Sequence, residues 1–125
     1  MFFNSRRSSV LSKQGMVATS QPLAAVAGLK MLMNGGNAVD AAVAAAAALA
    51  VVEPMSTGIG GDAFSLVWMA KEKKVHALNA SGRAPQAASV DELTGQGLTE
   101  IPSTSPYSVS IPGTVDGWID ILNKF

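Results

Sequence analysis

The chain has 125 residues and a formal net charge of zero, which gives it no long-range attraction for nucleic acid or an anionic membrane. Apolar residues make up 48% of it and charged residues only 14%, against roughly 25% charged residues in ordinary soluble domains. This composition fits an interior slice of a larger protein, and the lack of cysteine excludes disulfides, thiolate metal sites and a cysteine nucleophile.

Residues 1–14 are polar, basic and rich in serine, and they predict a flexible N-terminal arm before an ordered segment over 15–125. The two arginines of the arm are not followed by the apolar run of a signal peptide. The longest apolar run, Ala41–Val52, would span roughly 18 Å as a helix, which is short of the ~30 Å core of a bilayer. We therefore expect a cytoplasmic protein with no membrane partner.

The first elements are a short strand and a helix. Met16–Thr19 is apolar and predicts the strand. Ser20 is predicted as the N-cap of the helix, with Pro22 in its first turn. The Gly35-Gly36 pair is expected to end the helix, because glycine adopts the left-handed conformation of a C-cap without strain.

A second helix follows at once and is rich in alanine. Asn37 is predicted as its N-cap, and Asp40 lies at the third position, where it faces the free amides of the first turn. The helix is expected to continue through Ala50 and to stop before Pro54. Because it has so little polar surface, it must be packed inside the protein.

The second half of the chain predicts a hairpin and a last helix. Ala63–Met69 and Val75–Leu78 are expected as antiparallel strands joined by a charged turn at Lys71–Lys74. A short helix is expected over Ser89–Leu93, and the last helix begins near Thr114. Helices packed on an antiparallel sheet make an α+β fold. A hairpin alone is marginal, so the fold is expected to be incomplete in this chain.

Two features that suggest ligand chemistry have simpler explanations. The glycine-rich loop Gly58–Asp62 leaves a helix and enters a strand, whereas phosphate loops run from a strand into a helix. A tight turn with close backbone packing explains these glycines better. His76 is the only histidine, so with no cysteine in the chain it does not predict a zinc site.

Other candidate residues also favour structural roles. Asp40 is explained as a helix-start residue and Asp62 as a turn residue, rather than as paired catalytic carboxylates. Phe64 and Trp68 share one face of a strand, which is typical of core residues rather than of a ligand platform. No serine lies in the Gly-x-Ser-x-Gly turn of an esterase nucleophile.

Arg83 is the residue with the clearest potential for binding. It stands apart from other charges, among small residues, and is followed by a rigid Ala84-Pro85 pair. An arginine held on such a loop suits bidentate capture of a carboxylate. The chemistry alone equally allows an arginine that bonds loop carbonyls or pairs with Asp62.

The chain resembles the N-terminal part of the large subunit of γ-glutamyltransferases (γ-glutamyltranspeptidases). The resemblance covers residues 13–125 and rests on matching motifs in the same order and spacing. These motifs are Gly15–Ala18, Gly35–Ala42 (GGNAVDAA), Gly58–Phe64, Ala84-Pro85 and Ile111–Val115 (IPGTV).

The resemblance implies part of an N-terminal-nucleophile hydrolase αββα sandwich, with two antiparallel sheets between helical layers. Family members are zymogens, precursors that cut themselves into a large and a small subunit. The new N-terminal threonine of the small subunit attacks a γ-glutamyl amide such as that of glutathione, with no cofactor. That threonine is not in this chain, so no catalytic residue is expected here and the chain alone is predicted to be inactive.

The resemblance also makes Arg83 and Ser81 the candidate substrate-binding residues. Many family members have an arginine in an Arg-Glu-x-Ala-Pro loop that binds the α-carboxylate of the glutamyl group. Aligned on Ala84-Pro85, that arginine falls at Ser81, whereas this chain carries Arg83 two positions later. The Ser-Gly-Arg-Ala-Pro form is similar to a transferase-like branch without a signal peptide.

The implied partners are a γ-glutamyl substrate, the rest of the large subunit and the small subunit of the same precursor. Two alternatives stay open at the level of sequence. If Arg83 serves the structure instead of the substrate, an acylase of the same fold that acts on another amide is possible. A non-catalytic binding or assembly module is the other alternative.

Overall fold

A computed structural model describes residues 8–125, so the predicted arm over 1–14 lies partly outside the described residues. Residues 8–14 are exposed and form neither helix nor strand. The elements in chain order are α1 (Pro22–Met33), α2 (Ala38–Val52), β1 (Ala63–Met69), β2 (Lys74–Ala80), α3 (Val90–Gly95) and α4 (Thr114–Lys124), with a 3-10 turn at Pro106–Ser108. Within residues 8–125, no helix combines the length and apolar character needed to cross a bilayer.

Helices α1 and α2 pack closely because small residues face each other. Ala24 is fully buried, and Ala41 and Ala45 are nearly so. A Cβ at Gly28 would lie 2.8 Å from the Ala41 carbonyl oxygen, so any side chain there would push the helices apart. Among residues 8–125 the other buried apolar side chains are Val39 and Ile121. This core is small, as expected for part of a larger α+β fold.

The two helix starts differ in how well the sequence predicted them. The Asn37 side chain accepts hydrogen bonds from the backbone N–H groups of Val39 and Asp40, and the Asp40 carboxylate accepts from the Asn37 N–H at 2.7 Å. This reciprocal capping confirms the prediction for α2. The prediction for α1 is wrong: Gln21 is the N-cap, without a side-chain bond, because the Ser20 hydroxyl donates to the Glu53 carboxylate instead.

The hairpin is antiparallel, as predicted, and its register runs from Ala63 opposite Ala80 to Met69 opposite Lys74. Strand β1 has the predicted bounds, and β2 extends beyond the predicted range at both ends. The turn is closed by Lys73, which has a φ of 52°, the only positive φ of a non-glycine residue within residues 8–125.

The hairpin has one covered and one uncovered face. On the covered face, α4 packs so closely that a Cβ at Gly117 would meet the side chains of Ala80 and Leu78. On the other face, Phe64 and Trp68 are 67% and 59% exposed, so the prediction that they are core residues is wrong for this chain. The reason is that no element within residues 8–125 covers that face.

The predicted strand at Met16–Thr19 does not form. A strand needs a neighbour with which to exchange backbone hydrogen bonds, and residues 8–125 supply none at this place. Val17 lies instead against α1, where a Cβ added to Gly28 would be 3.0 Å from its side chain. The apolar character of this segment is used for packing.

Candidate functional site

The hairpin register brings three loops to one end of the sheet. Because Ala63 pairs with Ala80, the segment before β1 (58–62) and the segment after β2 (81–85) leave the hairpin side by side. The segment that leads into α4 (110–114) is bonded to the first of these. We call the three segments together the three-loop junction.

The Gly61 carbonyl oxygen holds the third loop in place. It accepts hydrogen bonds from the backbone N–H groups of Gly113 and Thr114, at 3.0 and 3.1 Å, and from the Thr114 hydroxyl at 2.8 Å. The Ser110 hydroxyl adds a bond to the Asp62 carboxylate at 3.2 Å. Asp62 is therefore engaged by the third loop, which agrees with its predicted structural role.

The second loop meets the third loop backbone to backbone. Gly82 has a φ of 72°, which side-chain-bearing residues rarely adopt, and a Cβ there would overlap the Ile111 carbonyl group. A Cβ at Gly113 would lie 2.6 Å from the Gly82 nitrogen. Only glycine fits at either position, so the Arg83 backbone is tied directly to the segment that begins α4.

The two predicted substrate residues, Arg83 and Ser81, lie together in a cavity of about 300 Å³ beside the junction. Arg83 is exposed, and within residues 8–125 no acidic side chain forms an ion pair with it. The alternative pairing with Asp62 does not occur: within residues 8–125 the Asp62 carboxylate accepts from Ser110 and forms no ion pair with Arg83. Ser81 is half-buried, and its backbone N–H donates to the Asn79 side chain at 3.0 Å.

The rest of this cavity is mostly apolar. Arg83 is the only charged residue that lines it within the described part of the chain. The apolar walls come from Ala84, Pro85, Ala88, Leu93, Ile101, Tyr107, Val109 and Ile111. Such a cavity can bind an anionic group at the arginine while it shelters an uncharged body beside it.

His76 lies away from the junction, in the middle of β2 and opposite Val67. Its Nε2 atom is 2.8 Å from the Glu72 carboxylate, and its ring packs edge-on against Phe125, with 5.2 Å between ring centroids. Across residues 8–125, no three or more His, Cys, Asp or Glu side chains are grouped so that they could hold a metal ion.

Glu53 forms a second polar cluster, at the end of α2. Its carboxylate accepts hydrogen bonds from the Ser20 and Ser56 hydroxyls, and its backbone carbonyl accepts from the Thr57 hydroxyl at 3.1 Å. The bond from Ser20, and after it the bond from Ser56, holds the pKa of the Glu53 carboxyl below its ordinary value. The cluster ties the segment before α1 to the end of α2.

Sequence reasoning missed Thr114 and Gly61 as parts of the site. Both lie within matching motifs, Gly58–Phe64 and Ile111–Val115, but the sequence predicts only a tight turn for Gly61 and a helix start for Thr114. One local signal pointed to Thr114. It is the first residue of α4, and the residue before it, the N-cap Gly113, has no side chain that could cap the helix. The partner of Thr114, 53 positions away, was not visible in the sequence.

The chain is similar in sequence and in structure to known proteins. A sequence model of the family described as Gamma-glutamyltranspeptidase matches residues 24–125. The chain is 41% identical over 119 residues to the glutathione hydrolase proenzyme of Bacillus subtilis (strain 168). That match covers 92% of this chain but only 20% of the relative, so the chain spans about a fifth of the length of this protein.

Solved structures show the same fold. The γ-glutamyltranspeptidase of Helicobacter pylori superposes with a TM-score of 0.81 at 38% identity, over 94% of this chain and 34% of that one. The cephalosporin acylase of Bacillus halodurans superposes with a TM-score of 0.78 at 41% identity, over 100% of this chain and 24% of that one.

Proposed function

Because the chain belongs to the gamma-glutamyltranspeptidase family, we propose that it forms the N-terminal part of the large subunit of an enzyme that hydrolyses or transfers γ-glutamyl groups. Its α+β fold is part of an N-terminal-nucleophile hydrolase sandwich. The proposed partners are the rest of the large subunit and the small subunit of the same precursor. The cytoplasmic location stays a prediction.

In the proposed reaction, the precursor cuts itself so that a threonine outside this chain becomes the first residue of the small subunit. The threonine hydroxyl attacks the γ-amide carbonyl carbon, and the free α-amine of the same residue accepts the hydroxyl proton. The proton passes to the leaving amine as the C–N bond breaks. Water or an amino acid then takes the γ-glutamyl group from the resulting ester. The chain alone is accordingly proposed to have no activity.

The proposed contribution of this chain is to bind the α-carboxylate of the substrate through Arg83. The observation that carries this proposal is an exposed guanidinium that lines a cavity and forms no ion pair within residues 8–125. An arginine fork matches a carboxylate with two parallel hydrogen bonds. Ser81 lines the same cavity and is proposed as a second contact to the substrate.

The test is the steady-state kinetics of the full-length enzyme with a γ-glutamyl anilide as donor. The variant Arg83→Ala is expected to raise KM by about tenfold or more, because a hydrogen-bonded charge pair contributes roughly 1.5–3 kcal/mol. Arg83→Lys is the matched control, since it keeps the charge but loses the bidentate geometry. It should fall between the wild type and Arg83→Ala. If KM is unchanged in both variants, Arg83 does not bind the substrate carboxylate and has a structural role instead.

An acylase acting on another amide is the second candidate. It is favoured by the similarity to the cephalosporin acylase and by the cavity, to which the described residues contribute no carboxylate for a substrate ammonium group. A glutaryl anilide has the carboxylate of the γ-glutamyl anilide but lacks its α-ammonium group. If the full-length enzyme prefers the glutaryl compound, the acylase is the better description. If it prefers the γ-glutamyl compound, the first proposal stands.

A further inference from the structure

Thr114 is the only buried polar residue within residues 8–125, at 4% exposure. It is the first residue of α4, and both its backbone N–H and its hydroxyl donate to the Gly61 carbonyl oxygen. A residue that only started the helix would need neither burial nor this hydroxyl bond, because the N-terminal N–H groups of a helix are satisfied by a cap or by water. The double attachment fixes α4 against the loop 58–62.

A short series of contacts leads from Thr114 to Arg83. Gly113 precedes Thr114 and shares its acceptor, and it lies against the Gly82 nitrogen too closely for any side chain. Gly82 in turn lies against Ile111 and is bonded covalently to Arg83. These contacts are made by backbone atoms, so they cannot adapt by side-chain rotation. A displacement of the start of α4 is therefore passed on to the Arg83 backbone.

We infer that Thr114 is a positioning residue for Arg83, which it holds at the distance and angle that carboxylate binding requires. This inference rests on the proposed function of Arg83. Bidentate bonding is sensitive to small displacements, and a misplacement of about 1 Å can cost up to ~10²-fold in activity. A substitution of Thr114 can remove its hydroxyl bond to Gly61, while the bonds from the Gly113 and Thr114 backbone N–H groups to the same oxygen stay.

The test is a double-mutant cycle in the full-length enzyme with a γ-glutamyl anilide. Thr114→Val removes the hydroxyl at nearly constant volume and is expected to raise KM by about tenfold with little change in kcat. Thr114→Ser keeps the hydroxyl and is expected to restore a KM close to that of the wild type. In the Arg83→Ala background, Thr114→Val should raise KM no further, because its effect passes through Arg83.

The possible results separate the inference from the proposed function. If Arg83→Ala raises KM but Thr114→Val has no effect, or multiplies the effect of Arg83→Ala, Thr114 does not act through Arg83 and the inference is overturned. If Arg83→Ala leaves KM unchanged, the proposed function itself fails, and the inference with it. If the Thr114→Val precursor does not cut itself into subunits, Thr114→Ala replaces it in the same cycle. Alanine keeps the backbone bonds of residues 113 and 114 to Gly61 and suits a helix start.

Discussion

At the scale of single residues, the candidate site is built by glycines that allow backbone segments to touch. Gly82 and Gly113 stand where a Cβ would overlap the neighbouring loop, and Gly61 offers its carbonyl oxygen to that loop. Glycine loses more conformational freedom on folding than any other residue, so such positions are costly. The gain is a fixed relation between Arg83 and the start of α4.

We predict that Gly82→Ala destabilises the full-length enzyme much more than Gly97→Ala. Both glycines have positive φ, 72° and 81°, so both substitutions introduce backbone strain of about 1–3 kcal/mol. Only Gly82 has a neighbouring backbone, that of Ile111, within reach of the new Cβ. Thermal unfolding would check the difference. Equal losses of Tm would mean that the contact between the loops contributes nothing.

The lowered pKa of Glu53 predicts a pH dependence of stability. A carboxyl whose pKa is lower in the folded state stabilises the fold above its ordinary pKa of 4.5, and this contribution is lost as the pH falls through the lowered value. Ser20→Ala should therefore lower Tm at about pH 7 and reduce the further loss of Tm on going to about pH 3. Ser56→Ala should act in the same direction but less strongly. Parallel pH profiles for the wild type and Ser20→Ala would contradict this account.

At the scale of elements, the sequence predicted those helices and strands that contacts between residues close in sequence stabilise. The capping pair of α2 and the apolar stretch of β1 are readable over a few residues, and both elements have the expected starts. Met16–Thr19 failed as a strand because strand formation depends on a partner that its own sequence does not specify. Ser20 failed as an N-cap because its side chain is directed to Glu53, which is distant in sequence, and its hydroxyl donates a hydrogen bond to that carboxylate.

We predict that Asn37→Ala destabilises the protein by about 1 kcal/mol, through loss of the cap of α2. Asn37 also donates from its side-chain amide to the Phe125 carbonyl oxygen at 3.1 Å. Asn37→Asp separates the two roles, since aspartate is an equally good N-cap but has no donor for that carbonyl. If the cap dominates, denaturant unfolding should give Asn37→Asp nearly the stability of the wild type. A loss as large as that of Asn37→Ala would assign the stability to the bond with Phe125.

The candidate site was only partly predictable for the same reason. The isolation of Arg83 among small residues marked it as a binding candidate, and its place in a cavity with Ser81 agrees with that prediction without testing it. The attachment that holds its loop joins Gly61 to Thr114, across the whole hairpin and the segment that follows it. No periodicity or short motif reports a contact between a carbonyl oxygen and a hydroxyl at that separation.

At the scale of the whole molecule, the chain shows an apolar sheet face that the described residues leave uncovered. Phe64, Leu66, Trp68 and Val75 are all more than half exposed on this face of the hairpin. Contiguous apolar surface of this kind marks an interface. Together with a match to only a fifth of its Bacillus subtilis relative, this surface supports the proposal that further parts of a precursor pack here.

We predict that the 125-residue chain, produced by itself, associates into dimers or larger species through this face. Trp68→Lys should shift it towards monomer, because burying an unpaired charge in the contact is costly. Val51→Lys is the matched control, since Val51 is 78% exposed and belongs to α2 rather than to the sheet face. Size-exclusion chromatography with light scattering would measure the masses. A monomeric chain, or an equal effect of both substitutions, would contradict the role of the sheet face.

The most direct test of the central claim, that Arg83 binds the substrate carboxylate, compares two donors in the full-length enzyme. One is a γ-glutamyl anilide, and the other is the 4-aminobutyryl anilide, which lacks only the α-carboxylate. We predict that the wild type prefers the first donor in kcat/KM by about tenfold or more, and that Arg83→Ala abolishes this preference while it leaves the second donor unaffected. If Arg83→Ala lowers kcat/KM equally for both donors, Arg83 does not bind the carboxylate.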